Sequence, residues 1–284
     1  MNTKKHTTSL GLNRVKKRQG GFSLVEIAVV MLIVGLLVAG SASLVKNKRD
    51  NAKYAETEEI LKQIKEALLT YTLINGHMPC PDTSPIYPSV TVNFGRENRG
   101  MMVSNCATAS GRVPFRDLGL MEENIRDSWG NFIAYNINTS AINFLSVLTS
   151  SHSAAYFNQG SSPGLGMGFG LATNPRAGVP GVGNLNIIDG TKPPFPVTYK
   201  IENATAVLVA YNSNGLSTLE NCMLNAQPKE RENCNGDAIF HYHRIVLELD
   251  GHGGSVPFYD DQLLAISASE IKNKFLTNNP SWIN

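Results

Sequence analysis

Two stretches with different spacing of apolar residues follow each other in the first quarter of the chain. Residues 27–45 contain no charged side chain, and a helix of that length measures roughly 28 Å, near the hydrocarbon thickness of a bilayer. Further along, apolar side chains recur at a helical spacing: Leu61, Ile64, Leu68 and Tyr71. The pattern predicts one long helix, transmembrane over residues 22–45 and amphipathic over residues 46–76.

Strand patterns appear later in the chain. Thr205–Tyr211 and Ile239–Leu249 are rich in β-branched, aromatic and aliphatic residues and end at turn residues. A third, irregular strand is predicted over Val256–Ile266. Ser267 and Glu270 have the spacing of a capping box, which predicts a short terminal helix. Together with the long first helix, these strands predict an α+β fold.

Residues 138–200 interrupt this pattern, because Ser, Asn, Gly and Pro dominate there. We predict an irregular insertion. The glycine-rich run 164–170 follows no predicted strand, whereas a phosphate-binding glycine loop joins a strand to a helix. The run therefore predicts a surface loop rather than a nucleotide site.

Charge is distributed unevenly between residues 1–21 and the remainder of the chain. The basic leader has no acidic residue and carries six basic ones: Lys4, Lys5, Arg14, Lys16, Lys17 and Arg18. Without residues 1–21, 19 Lys and Arg remain against 23 Asp and Glu, so the formal charge becomes −4. An acidic protein argues against nucleic-acid binding, which depends on neutralising phosphates.

Glu26 is a single carboxylate at the start of the apolar run. An acidic residue at the centre of a bilayer helix costs roughly 2.5–3.5 kcal/mol, so such a group usually has a partner and a function. The basic leader favours a cytoplasmic amino terminus by the positive-inside rule. The domain after the helix is then expected in the periplasm.

The stretch Lys16–Glu26, with Gly20-Gly21-Phe22 at its centre, resembles the cleavage and methylation signal of type IV prepilins and type II secretion pseudopilins. The resemblance implies that a prepilin peptidase cuts after Gly21 and methylates the new amino terminus, Phe22. It also implies that Glu26, the fifth residue of the mature chain, neutralises the amine of a neighbouring subunit and sets the assembly register.

The resemblance further implies a pilin-like architecture, in which the long helix packs on an antiparallel sheet of the globular domain, residues 77–284. The expected partners are the peptidase, other pilins or pseudopilins through the amino-terminal helix, and an inner-membrane assembly platform. The expected location is the bacterial inner membrane, with one membrane pass, and then the pilus or pseudopilus. The size of the domain favours a minor subunit.

Two other interpretations of the amino terminus stay open at this point. The apolar run could be an uncleaved membrane anchor, or a secretory signal peptide cut near the small residues 39–43. Either would make the chain a tethered or secreted periplasmic binding protein or enzyme. The sequence contains no catalytic motif of the common hydrolase, metalloprotease or nucleotide-binding kinds, so we expect no enzyme activity.

The four cysteines all lie on the expected periplasmic side, where disulfides persist. They allow three pairings, of which we favour the two local ones, Cys80–Cys106 and Cys222–Cys234. A zinc site is the alternative, but no two cysteines have the close spacing typical of one.

The segment Asp127–Tyr135 resembles a turn and strand of pseudopilins. Asp127 suits an Asx turn and Gly130 suits a positive φ. We expect Trp129 to anchor the core.

A polar group near the carboxyl terminus is the candidate metal site. His241 and His243 alternate on one predicted strand, and four further polar residues follow: Asp250, His252, Asp260 and Asp261. We favour a solvent-facing strand edge and a polar turn, and hence no cofactor. Calcium is the better candidate ion, because carboxylates cluster there.

Overall fold

The computed structural model describes residues 23–75, 78–85, 93–99, 106–137, 185–215, 222, 230–246 and 258–278. These residues contain two helices, α1 (Leu24–Asn75) and α2 (Ala268–Asn278). The strands are β1 (Ser110–Arg112), β2 (Ala134–Ile137), β3 (Leu185–Asp189), β4 (Tyr199–Ala210), β5 (Ile239–Tyr242) and β6 (Gln262–Ser267). Short 3-10 turns lie at Glu122–Ile125, Asn212–Asn214 and Arg231–Asn233. These elements confirm the α+β class.

The chain divides into two compact units, residues 1–50 and residues 51–284. In the first unit, the beginning of α1 exposes its apolar side chains on all sides, as in Leu24, Met31 and Leu36. Across the described part of the chain, no helix combines the length and the hydropathy that crossing a membrane requires.

In the second unit, α1 buries one face against the sheet. Leu61, Ile64 and Leu68 are at most 2% exposed, and they share a core with Tyr135 of β2 and Leu208 of β4. The helix ends at Asn75, where the sequence predicts its end. The amphipathic stripe thus marks the face of the helix that packs on the sheet.

The sheet is mixed, with β4 at its centre. The strand order is β1-β2-β4-β3-β5, and β6 also pairs with β4. All pairs are antiparallel except β3 with β5, which is parallel. The prediction of an antiparallel sheet is therefore wrong for one pair of strands, β3 and β5. The reason is that β3 and β5 enter the sheet through separate connections and not through a hairpin.

Alternate residues of β4 point to opposite faces of the sheet, as the pleat requires. Ala206 and Leu208 join the core shared with α1, whereas Val207 and Val209 join a second core with Phe240. Both faces are buried, so the central strand reads as a continuous apolar run.

Three strand predictions need correction. The irregular insertion predicted over 138–200 contains β3 and the start of β4; residues 138–184, including the glycine run, lie outside the described residues. β5 is shorter than predicted and ends at Tyr242. β6 begins at Gln262, so Asp260 and Asp261 precede the strand. Short strands whose stability comes from their neighbours carry little local signal.

The terminal helix α2 begins as predicted. Ser267 N donates to Glu270 Oε2 at 2.8 Å, and Glu270 N donates to Ser267 Oγ at 3.2 Å. This reciprocal pair is a capping box. Lys65 of α1 also donates to the carboxylate of Glu270, which attaches α2 to α1.

Candidate functional site

The amino-terminal signal is the first candidate site, and the structure describes it from Ser23 onward. Gly21 and Phe22 lie outside the described residues. Glu26 is exposed in the first turn of α1. Its main-chain N–H donates to Ser23 Oγ at 3.2 Å, and Ser23 N donates to Glu26 Oε2 at 3.3 Å.

This exchange is a second capping box, which we did not predict although Ser23 and Glu26 have the required spacing. In the single chain, Glu26 therefore stabilises the start of its own helix. Its negative charge also suits the positive end of the helix dipole. These two hydrogen bonds are weak and exposed, so the Glu26 carboxylate stays accessible to a cation.

Apolar side chains follow Glu26 along the first unit of α1. Ile27, Val30 and Leu37 are 51%, 55% and 68% exposed. A continuous apolar surface on an isolated chain indicates contact with lipid or with other protein chains. The surface and the single carboxylate together form the amino-terminal candidate site.

Two disulfides hold loops of the second unit. They join Cys80 to Cys106, 26 residues apart, and Cys222 to Cys234, 12 residues apart. This is the pairing that we favoured from the sequence. Cys80 and Cys106 are both buried in the core shared with α1, so this bond fastens the segment after the helix.

The Asp127 turn has the geometry that the sequence predicts. Asp127 Oδ1 accepts from Trp129 N and Asn131 N, both at 2.9 Å, and Gly130 has φ +90°. Asp127 Oδ2 accepts from Asn212 N at 3.0 Å, which joins the turn to the end of β4. Burial raises the pKa of Asp127, although these hydrogen bonds favour its charged form.

Trp129 is not the core anchor that we expected. It is half-buried, and its ring packs against Tyr54 of α1 with centroids 4.7 Å apart and ring planes tilted by 47°. Lys53 Nζ lies 4.9 Å from the centroid of the Trp129 ring. The ring packs on α1 and belongs to neither of the two hydrophobic cores of the described residues.

A group of buried carboxylates near the carboxyl terminus is the second candidate site. Asp260 and Asp261 are 0% and 2% exposed, so the expected solvent-facing turn is wrong at these two residues. Glu230, also fully buried, joins them: one carboxylate oxygen from each lies within 4.8 Å of the others. Asp250 and His252 lie outside the described residues.

Glu230 is not predictable from the sequence, because it lies in a polar loop 30 residues before Asp260 and nothing in its neighbourhood indicates burial. The two histidines do not join the carboxylates: His241 binds Asn233 through its main chain, and the ring of His243 packs beside Tyr259. The group therefore offers oxygen ligands.

Burial raises the pKa of all three carboxyl groups. For Glu230 the pKa rises to about 7, because burial and the nearby Asp260 outweigh the donors that favour its charge. For Asp261 the pKa rises well above its ordinary value through burial and the charges of Glu230 and Asp260. Burial likewise raises the pKa of Asp260. The group resists carrying three negative charges by itself.

Comparison with known proteins bears on the amino-terminal site. Residues 16–42 match the family model described as the Prokaryotic N-terminal methylation motif, which is the signal of type IV prepilins and pseudopilins. The motif supports a prepilin-like precursor of the type IV pilin or pseudopilin kind. Neither the curated proteins nor the solved structures compared with the chain include a match.

Proposed function

We propose that this chain is a structural subunit of a type IV pilus or a type II secretion pseudopilus, made as a prepilin. The observation that carries the proposal is the methylation motif over residues 16–42. That signal implies a substrate of a prepilin peptidase that assembles with other pilins.

In the proposed maturation, the peptidase cuts after Gly21 and methylates Phe22. Cleavage removes the leader with its six basic residues and leaves a cationic amine four residues before Glu26. Before cleavage, the leader keeps the amino terminus in the cytoplasm. The segment 22–45 spans the inner membrane and the domain 77–284 lies in the periplasm, a compartment that suits the two disulfides.

In the proposed assembly, an inner-membrane platform moves the apolar helix from lipid into a bundle of other pilin helices. The exposed apolar side chains of residues 24–37 support this role. Each square ångström of apolar surface covered contributes about 25 cal/mol. The amine of one subunit pairs with Glu26 of its neighbour, and this pairing sets the axial register.

We further propose that the subunit is a minor component. The domain 77–284 is large, and bulky domains obstruct a uniform helical lattice but fit where copies are few. The proposal includes no catalytic activity. It also includes no nucleic-acid ligand, in keeping with the acidic formal charge of the mature chain.

The experiment that tests the proposal is mass spectrometry of the amino terminus of the protein from its native cell. We expect a chain that starts at N-methylated Phe22. A start near Ser43 would mean a secreted protein, and an intact Met1 would mean a tethered one. Either of these results would overturn the filament assignment.

A matched pair of leader variants tests the cleavage position. Gly21→Leu should block processing, because a bulky side chain would occupy the position directly before the cut bond. Gly11→Leu makes the same change ten residues earlier in the leader and should be processed normally. Normal processing of Gly21→Leu would contradict the peptidase assignment.

A further inference from the structure

The buried group of Glu230, Asp260 and Asp261 brings three carboxylates together from two separate loops. Glu230 lies directly before the 3-10 turn Arg231–Asn233, and the two aspartates lie directly before β6. All three side chains are at most 2% exposed, with one oxygen from each within 4.8 Å of the others.

The donors around this group are neutral. Glu230 accepts from Asp260 N at 2.8 Å and from the amide of Asn214. Asp260 Oδ2 accepts from Ser213 N at 2.8 Å and from Tyr54 of α1. Asp261 Oδ2 accepts from Asn233 Nδ2 at 2.8 Å. These bonds orient the carboxylates but add no positive charge.

Two carboxylate oxygens have no hydrogen-bond donor among the described residues: Asp260 Oδ1 and Asp261 Oδ1. The ion pairs of the described residues involve other acids. Asp261 also lines a cavity of about 470 Å³ that Arg244 borders, yet those ion pairs do not include Arg244. Buried carboxylates normally have a cation or hydrogen bonds to every oxygen, because desolvating an uncompensated charge is costly.

A third buried oxygen, outside the acidic group, is also without a donor among the described residues. The side chain of Asn212 is fully buried and its Oδ1 accepts no hydrogen bond within the described residues. The same side chain lies against the group, since its Nδ2 donates to the main-chain oxygen of Asp260. An amide oxygen, like a carboxylate, is a ligand that hard divalent cations accept.

We propose that Glu230, Asp260 and Asp261 bind one hard divalent cation of the Ca²⁺ type, with Asn212 beside them. Ca²⁺ binds oxygens at about 2.3–2.6 Å, so two of its ligands lie at most roughly 5 Å apart. The separations in this group fall within that limit. The site contains no sulfur or imidazole ligand, which argues against zinc and copper.

The site has a structural consequence. A cation bound there would link the end of β4, the loop closed by the Cys222–Cys234 disulfide and the start of β6, and Tyr54 would extend this link to α1. The inference is independent of the filament proposal, since it depends only on contacts within residues 51–284.

The test uses the full-length protein in detergent, treated with a chelator and then titrated with Ca²⁺ by calorimetry at neutral pH. We expect one Ca²⁺ per chain and a higher Tm in Ca²⁺ than in chelator. Absence of binding, or binding without a change in Tm, would overturn the proposal.

Two variants locate the site. Asp261→Asn keeps the shape of the side chain but removes one charge and should weaken Ca²⁺ binding at least ~10-fold, since even the loss of an outer hydrogen-bond partner has such an effect. Glu123→Gln removes an exposed carboxylate elsewhere and should bind like the wild type. If Asp261→Asn does not fold, the stoichiometry and the Tm of the wild type still decide whether the protein binds one stabilising Ca²⁺. Equal affinity in all three proteins would place the ion elsewhere and overturn the assignment.

Discussion

The two parts of α1 belong to one continuous helix but use their apolar residues in opposite ways. Leu32, in the first unit, is 65% exposed, whereas Leu68, in the second, is fully buried against the sheet. In residues 27–45 no charge interrupts the apolar run, while from Tyr54 onward charged residues alternate with an apolar stripe.

This difference indicates that successive parts of one helix can pack against different partners. The amphipathic part finds its partner within the same chain, and the stripe marks that face. The first part carries no charge over residues 27–45, and large exposed apolar surfaces mark contacts with lipid or with other proteins. Under the proposed function, these are the membrane and then the filament.

The largest effect is expected from Glu26, the one charge in the first part's opening turn. Glu26→Ala should leave membrane insertion intact and reduce filament incorporation by about 10²–10⁴-fold, because breaking a desolvated ion pair costs about 3–5 kcal/mol. Incorporation is measured by immunoblot of purified filaments. Unchanged incorporation would contradict the proposed role of Glu26 in setting the axial register.

Glu26→Gln separates charge from capping in the same assay. Gln also completes a capping box with Ser23, so this variant keeps the local hydrogen bonds but loses the charge. We expect the same defect as for alanine. Glu59→Ala, which removes an exposed acid from the second part of the helix, is the control and should assemble normally.

A pair of leucine variants tests the comparison directly. Leu68→Ala should lower the free energy of unfolding by about 2–5 kcal/mol, through lost burial and a residual cavity. Leu32→Ala should change it by less than about 0.5 kcal/mol, since an exposed side chain has few contacts to lose. Urea unfolding in detergent measures both. A large loss in Leu32→Ala would mean that the first part also packs within its own chain.

The disulfides should matter in the second unit alone. Replacing Cys80 and Cys106 with Ser should destabilise the domain by about 3 kcal/mol, because the bond closes a long loop. The Cys222–Cys234 bond closes a shorter loop, so replacing both of these cysteines with Ser should cost slightly less free energy of unfolding. Differential scanning calorimetry with and without reductant measures the loss, and an unchanged Tm would contradict it.

The smallest effect is a pH dependence at the contact between α1 and α2. Burial alone would raise the pKa of Glu270, but hydrogen bonds from Lys65 and Ser267 outweigh it, so the pKa lies below its ordinary value. A lowered pKa stabilises the fold above the unfolded pKa of 4.5, and this contribution is lost as the pH falls through the lower folded value.

Glu270→Gln should therefore cost about 1 kcal/mol or less near neutral pH, since the pair is partly exposed, and nothing at acidic pH. Glu66→Gln breaks the more exposed pair with Lys274 and is the control. Thermal melts between pH 3 and 7 compare the two. A pH-independent loss in Glu270→Gln would mean that packing, and not charge, holds α2 on α1.

Local features were predictable from the sequence to a useful degree. The end of α1 at Asn75, its buried stripe, the Asx turn at Asp127 and the cap at Ser267 all depend on residues within four positions of one another. The same holds in part for the disulfides, whose cysteines are near in the chain. The amino-terminal motif is likewise a short run, which is recognised from the spacing of its residues.

The sequence by itself determined the long helix with its apolar first part, the prepilin signal and the α+β class, because periodicity and short motifs express local physics. Only the tertiary structure decided that Leu185–Asp189 is a strand of the sheet, that it pairs in parallel with β5, and that Glu230 meets Asp260 and Asp261. The strand pairs with β4 across 11–19 positions of the chain, and the other two cases depend on contacts between residues 30 or more positions apart. A polar loop residue becomes buried when distant segments pack over it, and no local sequence pattern predicts such burial.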